Sequence, residues 1–327
     1  MRYARSGRYL VPLDSKAAVK YFTNGLRVSH SRSGRLFSSL PRFESKEDDL
    51  PEEVSSLFAT IGEPVVPAIL LRDYADAGRG RTIAFLFRHE SPLPSAIVKV
   101  RSLPSGGTSL RAEADAHERL QSALPPKLRT TVPEVLRFSS QKDAEVLTLS
   151  TVAGRSAFLD VQNTLRPSRF VDLHFDAAGA WLAAFHDAAA DASHGDFWAR
   201  NLLIDEAGRA GVVDWELFSR NASPLFDLFH FPLTYGLNWP WTRYQQLPPE
   251  PAFAKTFLAS NRVSQAVRRY LRTYAAARGL TMTELHEAFR MFLAGKLTTT
   301  PAPGTAKLPW QSLATMFDRA SESVFSG

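Results

Sequence analysis

The chain has 327 residues, 44% of them hydrophobic and 22% charged, the balance of a globular protein that buries a real core. Its formal charge is +6 and it has no cysteine, which excludes disulfides and thiolate metal sites and permits a reducing compartment; a cytoplasmic setting is the expectation. The length suggests about two domains, and no uncharged apolar run is long enough to span a bilayer.

The positive charge is concentrated at the start, where residues 1–42 carry nine Lys or Arg against one acid, Asp14. A solvated basic extension is the simpler reading; contact with an anionic surface, membrane or nucleic acid, is the other, though no nucleic-acid motif is present. Met1-Arg-Tyr-Ala-Arg5 has a basic start but no apolar core follows, so no signal peptide is expected. Tyr9–Leu13 reads as a strand, and Asp14 is placed to cap a short helix over 15–22. Residues 29–50 are polar and serine-rich and read as a linker. Pro51 then opens a lead-in helix that Gly62 ends, so that 1–63 forms an extension ahead of the first large domain.

Three strands are predicted over 65–74, 82–87 and 95–100, with Gly78 and Gly80 in the first turn. Glycine there lets backbone N–H groups approach a ligand closely, though any hairpin carries such residues. In the third strand Ile97 and Lys99 share a face. A helix over 109–124 puts Glu113, Ala116, His117 and Leu120 on one face, making Glu113 an acid on an apolar stripe while Glu118 turns to solvent. Strands over 132–138 and 144–150 complete a five-stranded sheet. From Thr151 onward the pattern is mainly helical: 170–190, a helix opened by Ser223-Pro224, 263–278, 284–293 with Thr281 and Glu284 as a capping box, and 310–325.

Between the first two of those helices lies His194-Gly-Asp-Phe-Trp-Ala-Arg-Asn201, then two short apolar strands around the turn Asp205–Gly208, then Val212-Val-Asp-Trp-Glu216. A hairpin brings its outer ends together, so Asn201 and Asp214 should stand side by side. A carboxylate beside an amide oxygen is a hard, oxygen-only site suited to Mg²⁺. Asp196 should face the same cavity.

H-G-D-x-x-x-x-N followed by V-V-D-W-E resembles the aminoglycoside phosphotransferase and choline kinase-like family, over roughly residues 64–235. The resemblance implies an α+β, two-lobed protein-kinase-like fold. A small N-lobe, 64–150, would hold a five-stranded antiparallel sheet and one helix. A linker, 151–154, would lead to a larger helical C-lobe, 155–327. It implies Mg²⁺-dependent transfer of the γ-phosphoryl group of ATP to a hydroxyl of a small-molecule acceptor. Asp196 would be the catalytic carboxylate, and Asn201 and Asp214 the metal ligands. Lys99 would bind the nucleotide phosphates, held by Glu113. Gly78, Gly80, Ile97, Ser150 and Val152 would complete the nucleotide contacts, the last two through the linker backbone. His186 and His194 would brace the catalytic loop, and Asp227 would support it by hydrogen bonds. Trp198 would wall the substrate pocket. Arg200 is open between a phosphate contact and a solvated side chain. H-G-D in place of H-R-D, V-D-W-E in place of D-F-G and the lack of A-P-E favour a small molecule over a protein acceptor. A catalytically inactive, nucleotide-binding scaffold is the alternative.

Overall fold

A computed structural model describes residues 3–6, 9–23, 42–43, 68–73, 81–88, 91, 93–102, 109–140, 144–162, 167–238, 247–298 and 309–320. The chain divides into two compact units. One comprises Met1–Ser122 with Val132–Val152, the other Ala123–Thr131 with Ala153–Gly327. The division thus falls inside the 151–154 stretch, and the short segment 123–131 belongs with the second unit.

The first unit is an antiparallel sheet. Its strands are β1 (Tyr3–Ser6), β2 (Tyr9–Pro12), β3 (Arg42–Phe43), β4 (Ala68–Asp73), β5 (Arg81–Leu86), β6 (Ala96–Ser102), β7 (Val135–Ser140) and β8 (Ala144–Leu149). They run in the order β3-β1-β2-β4-β5-β6-β8-β7. The five strands expected are there, but among the described residues the sheet has eight, because the lead-in expected to stand apart contributes three. Tyr9 and Leu10 of β2 pair with Leu71 and Leu70 of β4. A second helix, Lys16–Tyr21, also belongs to this unit, capped by the Ser15 hydroxyl rather than by Asp14. The predicted lead-in helix from Pro51, Gly78 and Gly80 lie outside the described residues.

Alternation along β6 sorts its side chains. Ala96 and Val98 pack with Leu70, Ala84, Leu86 and Val146 in one apolar cluster, with Val100 against it. Ile97, Lys99 and Arg101 take the other face, beside Glu145, Leu147 and Leu149 of β8. On that face lies the helix Leu110–Ala123, whose Leu110 and Ala114 pack on Leu147 and Leu149.

The second unit is mainly helical. Its long helices are Val171–Ala188, Leu225–Asn238, Arg262–Arg278, Met282–Thr298 and Trp310–Ala320. A small sheet, β11-β10-β9, is formed by Arg155–Ser156 (β9), Leu202–Ile204 (β10) and Ala210–Val212 (β11). Aromatic side chains fill the core around it: Trp181 stacks on Phe185 and Phe197, with Trp215 tilted against it. The helix Leu225–Asn238 continues through Pro232, which has no N–H to offer Leu228. The Tyr270 hydroxyl supplies the missing donor, reaching the Leu228 carbonyl at 3.1 Å. Among the described residues no helix is long and apolar enough to cross a membrane.

Candidate active site

The loop between the Val171–Ala188 helix and β10 is fixed from below by one carboxylate. Asp227, in the first turn of the Leu225–Asn238 helix, accepts from the His194 N–H at 2.6 Å, the Gly195 N–H at 3.0 Å and the Ser193 hydroxyl at 3.0 Å. It is fully buried, and burial pushes its carboxyl up to about 7 against the pull of those three donors. Gly195 has φ +82°, and a Cβ there would collide with the Leu217 carbonyl, so only glycine fits.

His194 is the next brace. Its Nδ1 accepts from the Asp196 N–H at 3.2 Å, which fixes the tautomer so that Nε2–H donates to the Val213 carbonyl at 3.0 Å. The ring therefore ties the loop before Asp196 to the residue before Asp214. Burial holds its pKa down at about 4, so it is a neutral strut and not a proton carrier.

Asn201 and Asp214 flank the open end of the hairpin, as its register requires. Leu202 pairs with Val212, and the Val213 N–H donates to the Asn201 carbonyl at 3.0 Å. The turn at the far end is closed by Asp205, whose side chain accepts from the Ala207 and Arg209 N–H groups. The Asn201 side chain is almost fully buried. Its Nδ2 donates to the carbonyl of Asp196 at 3.0 Å and to its carboxylate at 3.1 Å. With the nitrogen committed, Oδ1 is the atom left to offer a cation.

Asp214 has φ 71°, making it the only non-glycine residue with left-handed backbone among those described. Such a residue costs of order 1 kcal/mol, and strain of this kind concentrates at functional sites. Trp215, fully buried, holds the bend through its Nε1–H to the Val212 carbonyl at 3.1 Å.

The Asp196 carboxylate is 39% exposed, so a ligand can reach it. Its other neighbour is His230, whose Nε2 lies 3.4 Å from Oδ1. The sequence reading missed His230, although it stands three residues after Asp227 on the same helix and so shares its face. Trp198 packs on Phe158, and the Arg200 guanidinium lies 5.0 Å from each of those two rings. His186, expected to brace this loop, instead hydrogen bonds the Tyr274 hydroxyl at 2.7 Å and ties two helices together.

In the first unit, Lys99 Nζ lies 2.6 Å from Glu113 Oε1. Glu113 is fully buried and Glu118 exposed, the helix phase expected. Burial raises the Glu113 carboxyl, but the Lys99 ammonium and then His117 hold it down at about 2. Glu145 sets that phase. It pairs with Arg101 at 3.0 Å, and it accepts from the Ser109 hydroxyl at 2.7 Å and the Leu110 N–H at 2.9 Å, capping the helix. Burial raises the Glu145 carboxyl too, yet these donors bring it below the usual range. Ile97 pairs across to Leu149. The Ser150 N–H donates to the Glu134 carbonyl and its hydroxyl oxygen accepts from the Glu134 N–H, each at 2.8 Å, and Val152 is half-buried.

Comparison with known proteins agrees with the motif reading. Residues 180–280 match the model of the "phosphotransferase enzyme family". That segment holds the whole loop, the hairpin and Asp227. No curated protein matches the sequence. Among solved structures, the bifunctional kinase-methyltransferase WbdD is 14% identical, with a TM-score of 0.37. The match covers 76% of this chain and 50% of that one. Aminoglycoside phosphotransferase APH(3'')-Id from Streptomyces rimosus is 20% identical with a TM-score of 0.34, covering 69% and 97%. The kinase domain of BubR1 is 10% identical with a TM-score of 0.35, covering 53% and 61%. The chain therefore spans half to three-fifths of the length of WbdD and the BubR1 domain.

Proposed function

We propose that this chain, similar over residues 180–280 to the phosphotransferase enzyme family, transfers the γ-phosphoryl group of ATP to a hydroxyl of a small-molecule acceptor. The observation that carries this reading is the loop-and-hairpin geometry. An exposed carboxylate, Asp196, is hydrogen-bonded to an amide, Asn201, which flanks the same hairpin end as a strained carboxylate, Asp214.

The donor set fits magnesium. Among the described residues no group of three or more His, Asp or Glu could cage a metal. Mg²⁺ in phosphoryl-transfer sites needs only one or two protein oxygens beside water and phosphate. Asn201 Oδ1 and the Asp214 carboxylate supply these. Bound there, the ion would neutralise charge on the phosphates.

The remaining roles belong to the chain. Asp196 accepts the acceptor's hydroxyl proton or orients the hydroxyl, as the new oxygen–phosphorus bond forms and the bond to the β-phosphate oxygen breaks. Asn201 holds the Asp196 carboxylate in place, leaving Oδ1 of that carboxylate toward His230. Lys99, steadied by Glu113, is assigned to the nucleotide phosphates, with Ile97 and the backbone at Ser150 and Val152 as further nucleotide contacts. Positioning and charge stabilisation, rather than covalent catalysis, supply the rate.

The test is a panel of hydroxylated metabolites incubated with ATP and Mg²⁺, read by mass gain of one phosphate. Transfer that stops on chelation of Mg²⁺ supports the reading. Tight nucleotide binding with no transfer to any member favours the scaffold alternative.

A further inference from the structure

The acceptor side of Asp196 carries a cation that the reaction scheme above does not use. Lys296, near the end of the Met282–Thr298 helix, places its Nζ 4.4 Å from the centre of the Phe226 ring and 5.2 Å from that of Phe292. Phe226 stacks in turn on His230, ring centres 5.2 Å apart and planes within 15°. His230 faces Asp196 at 3.4 Å. Two helices thus bring an ammonium, two aromatic faces and an imidazole to one flank of the loop carboxylate. All of them lie in the second unit.

The ammonium is partly desolvated. Burial lowers the Lys296 pKa, and attraction from Asp196 partly offsets this, so the two charges feel one another. Yet among the described residues no carboxylate lies within ion-pair distance of Lys296. Aromatic faces give a cation less than water or an anion does. His230 adds a second unfilled polar group: its Nδ1 is buried without a hydrogen-bond partner among the described residues. A neutral or cationic acceptor gains nothing from the Lys296 ammonium. A site that grips an anionic oxygen gains a charge-assisted hydrogen bond from Lys296, made in a partly dry setting where it counts for more.

We infer that the acceptor is a hydroxylated molecule bearing a carboxylate or phosphate, and that Lys296, set between Phe226 and Phe292 beside His230 and Asp196, is the residue that selects it. This rests on the phosphotransferase reading for the identity of the acceptor side, but binding alone tests it.

The probes are one sugar in four forms: glucose, glucosamine, gluconate and glucose 6-phosphate, with inorganic phosphate as a fifth. Each is titrated calorimetrically into the protein, Lys296→Ala and Lys296→Arg, and MgATP is titrated separately. Glucose 6-phosphate or gluconate should bind at least about tenfold more tightly than glucose and glucosamine. Lys296→Ala should erase that advantage, Lys296→Arg should keep most of it, and MgATP affinity should not change. Gluconate and glucose 6-phosphate separate a carboxylate from a phosphate preference. Inorganic phosphate binding alone, with no gain for the sugar phosphate, would make the site an anion site without acceptor recognition and overturn the inference. So would glucosamine binding best, no anionic probe binding, an anion preference that survives Lys296→Ala, or loss of MgATP along with the anion. If the anionic probes bind through Lys296 while the whole metabolite panel with MgATP gives no transfer, the phosphotransferase reading fails and the anion site stands.

Discussion

The Asn201 side-chain amide grips Asp196 twice, donating to its backbone carbonyl at 3.0 Å and to its carboxylate at 3.1 Å. On the proposed reading, one residue would orient the catalytic carboxylate and, through its oxygen, offer a ligand to magnesium. Asn201→Asp keeps the size and the metal-binding oxygen but replaces both donations with repulsion. Transfer should fall about 10–100-fold, the cost of one or two lost hydrogen bonds to a charged group, even at saturating Mg²⁺. Rates measured across a magnesium titration check this; full recovery at high Mg²⁺ would reduce Asn201 to a ligand alone.

The Asp227 brace makes a pH prediction. Its folded pKa of about 7 lies above its ordinary value of 3.8, so its contribution to stability is present below about 4 and lost as pH rises through 7. His194 runs the opposite way: held at about 4 against 6.5, it contributes above 6.5 and loses that as pH falls toward 4. Urea unfolding of the protein and of Asp227→Asn should therefore differ by an amount that shrinks as pH rises from about 4 to about 7. In an NMR titration the His194 ring should not charge until about pH 4. A His194 signal titrating near 6.5 would contradict the strut role.

Glu113 is held at about 2 by Lys99 and His117, against an ordinary 4.5. Its contribution is present above 4.5 and lost as pH falls toward 2. Glu113→Gln leaves Lys99, only 12% exposed, without its buried partner, and should cost about 3 kcal/mol of stability and weaken ATP binding. Glu118→Gln should do neither. Thermal melts and nucleotide titrations of the two variants give a direct contrast.

Asp214 carries left-handed backbone strain at φ 71°. Asp214→Gly and Asp214→Ala both remove the carboxylate and should both abolish Mg²⁺-dependent transfer. They should differ in stability, the glycine variant being firmer by about 1 kcal/mol because only alanine pays for the backbone conformation. Equal melting temperatures would mean the loop relaxes around the substitution.

What could be read in the sequence was what is local. The hairpin, the side-by-side placement of Asn201 and Asp214, and the phase that turns Glu113 inward all follow from spacing within one or two elements. What could not be read depends on partners far along the chain. Tyr9 and Leu10 join the sheet by pairing with residues beyond position 69, so the basic start looked like an extension. Glu145 caps a helix that begins 35 residues before it, and a strand pattern gives no sign of that. The helix from Leu225 runs through Pro232 because Tyr270, far along the chain, satisfies the Leu228 carbonyl. His230 lies against Asp196 and Lys296 within reach of its charge, and they sit on separate helices that only folding brings together.

Asp196 is the carboxylate proposed to handle the acceptor's hydroxyl. Asp196→Asn keeps the shape and one acceptor oxygen but cannot take a proton. With the acceptor found in the metabolite panel, turnover and ATP affinity of this variant are measured side by side. If Asp196 handles the hydroxyl, kcat should fall by about 10²–10⁴ with ATP affinity essentially unchanged. Turnover within a factor of a few of the unaltered protein would contradict it.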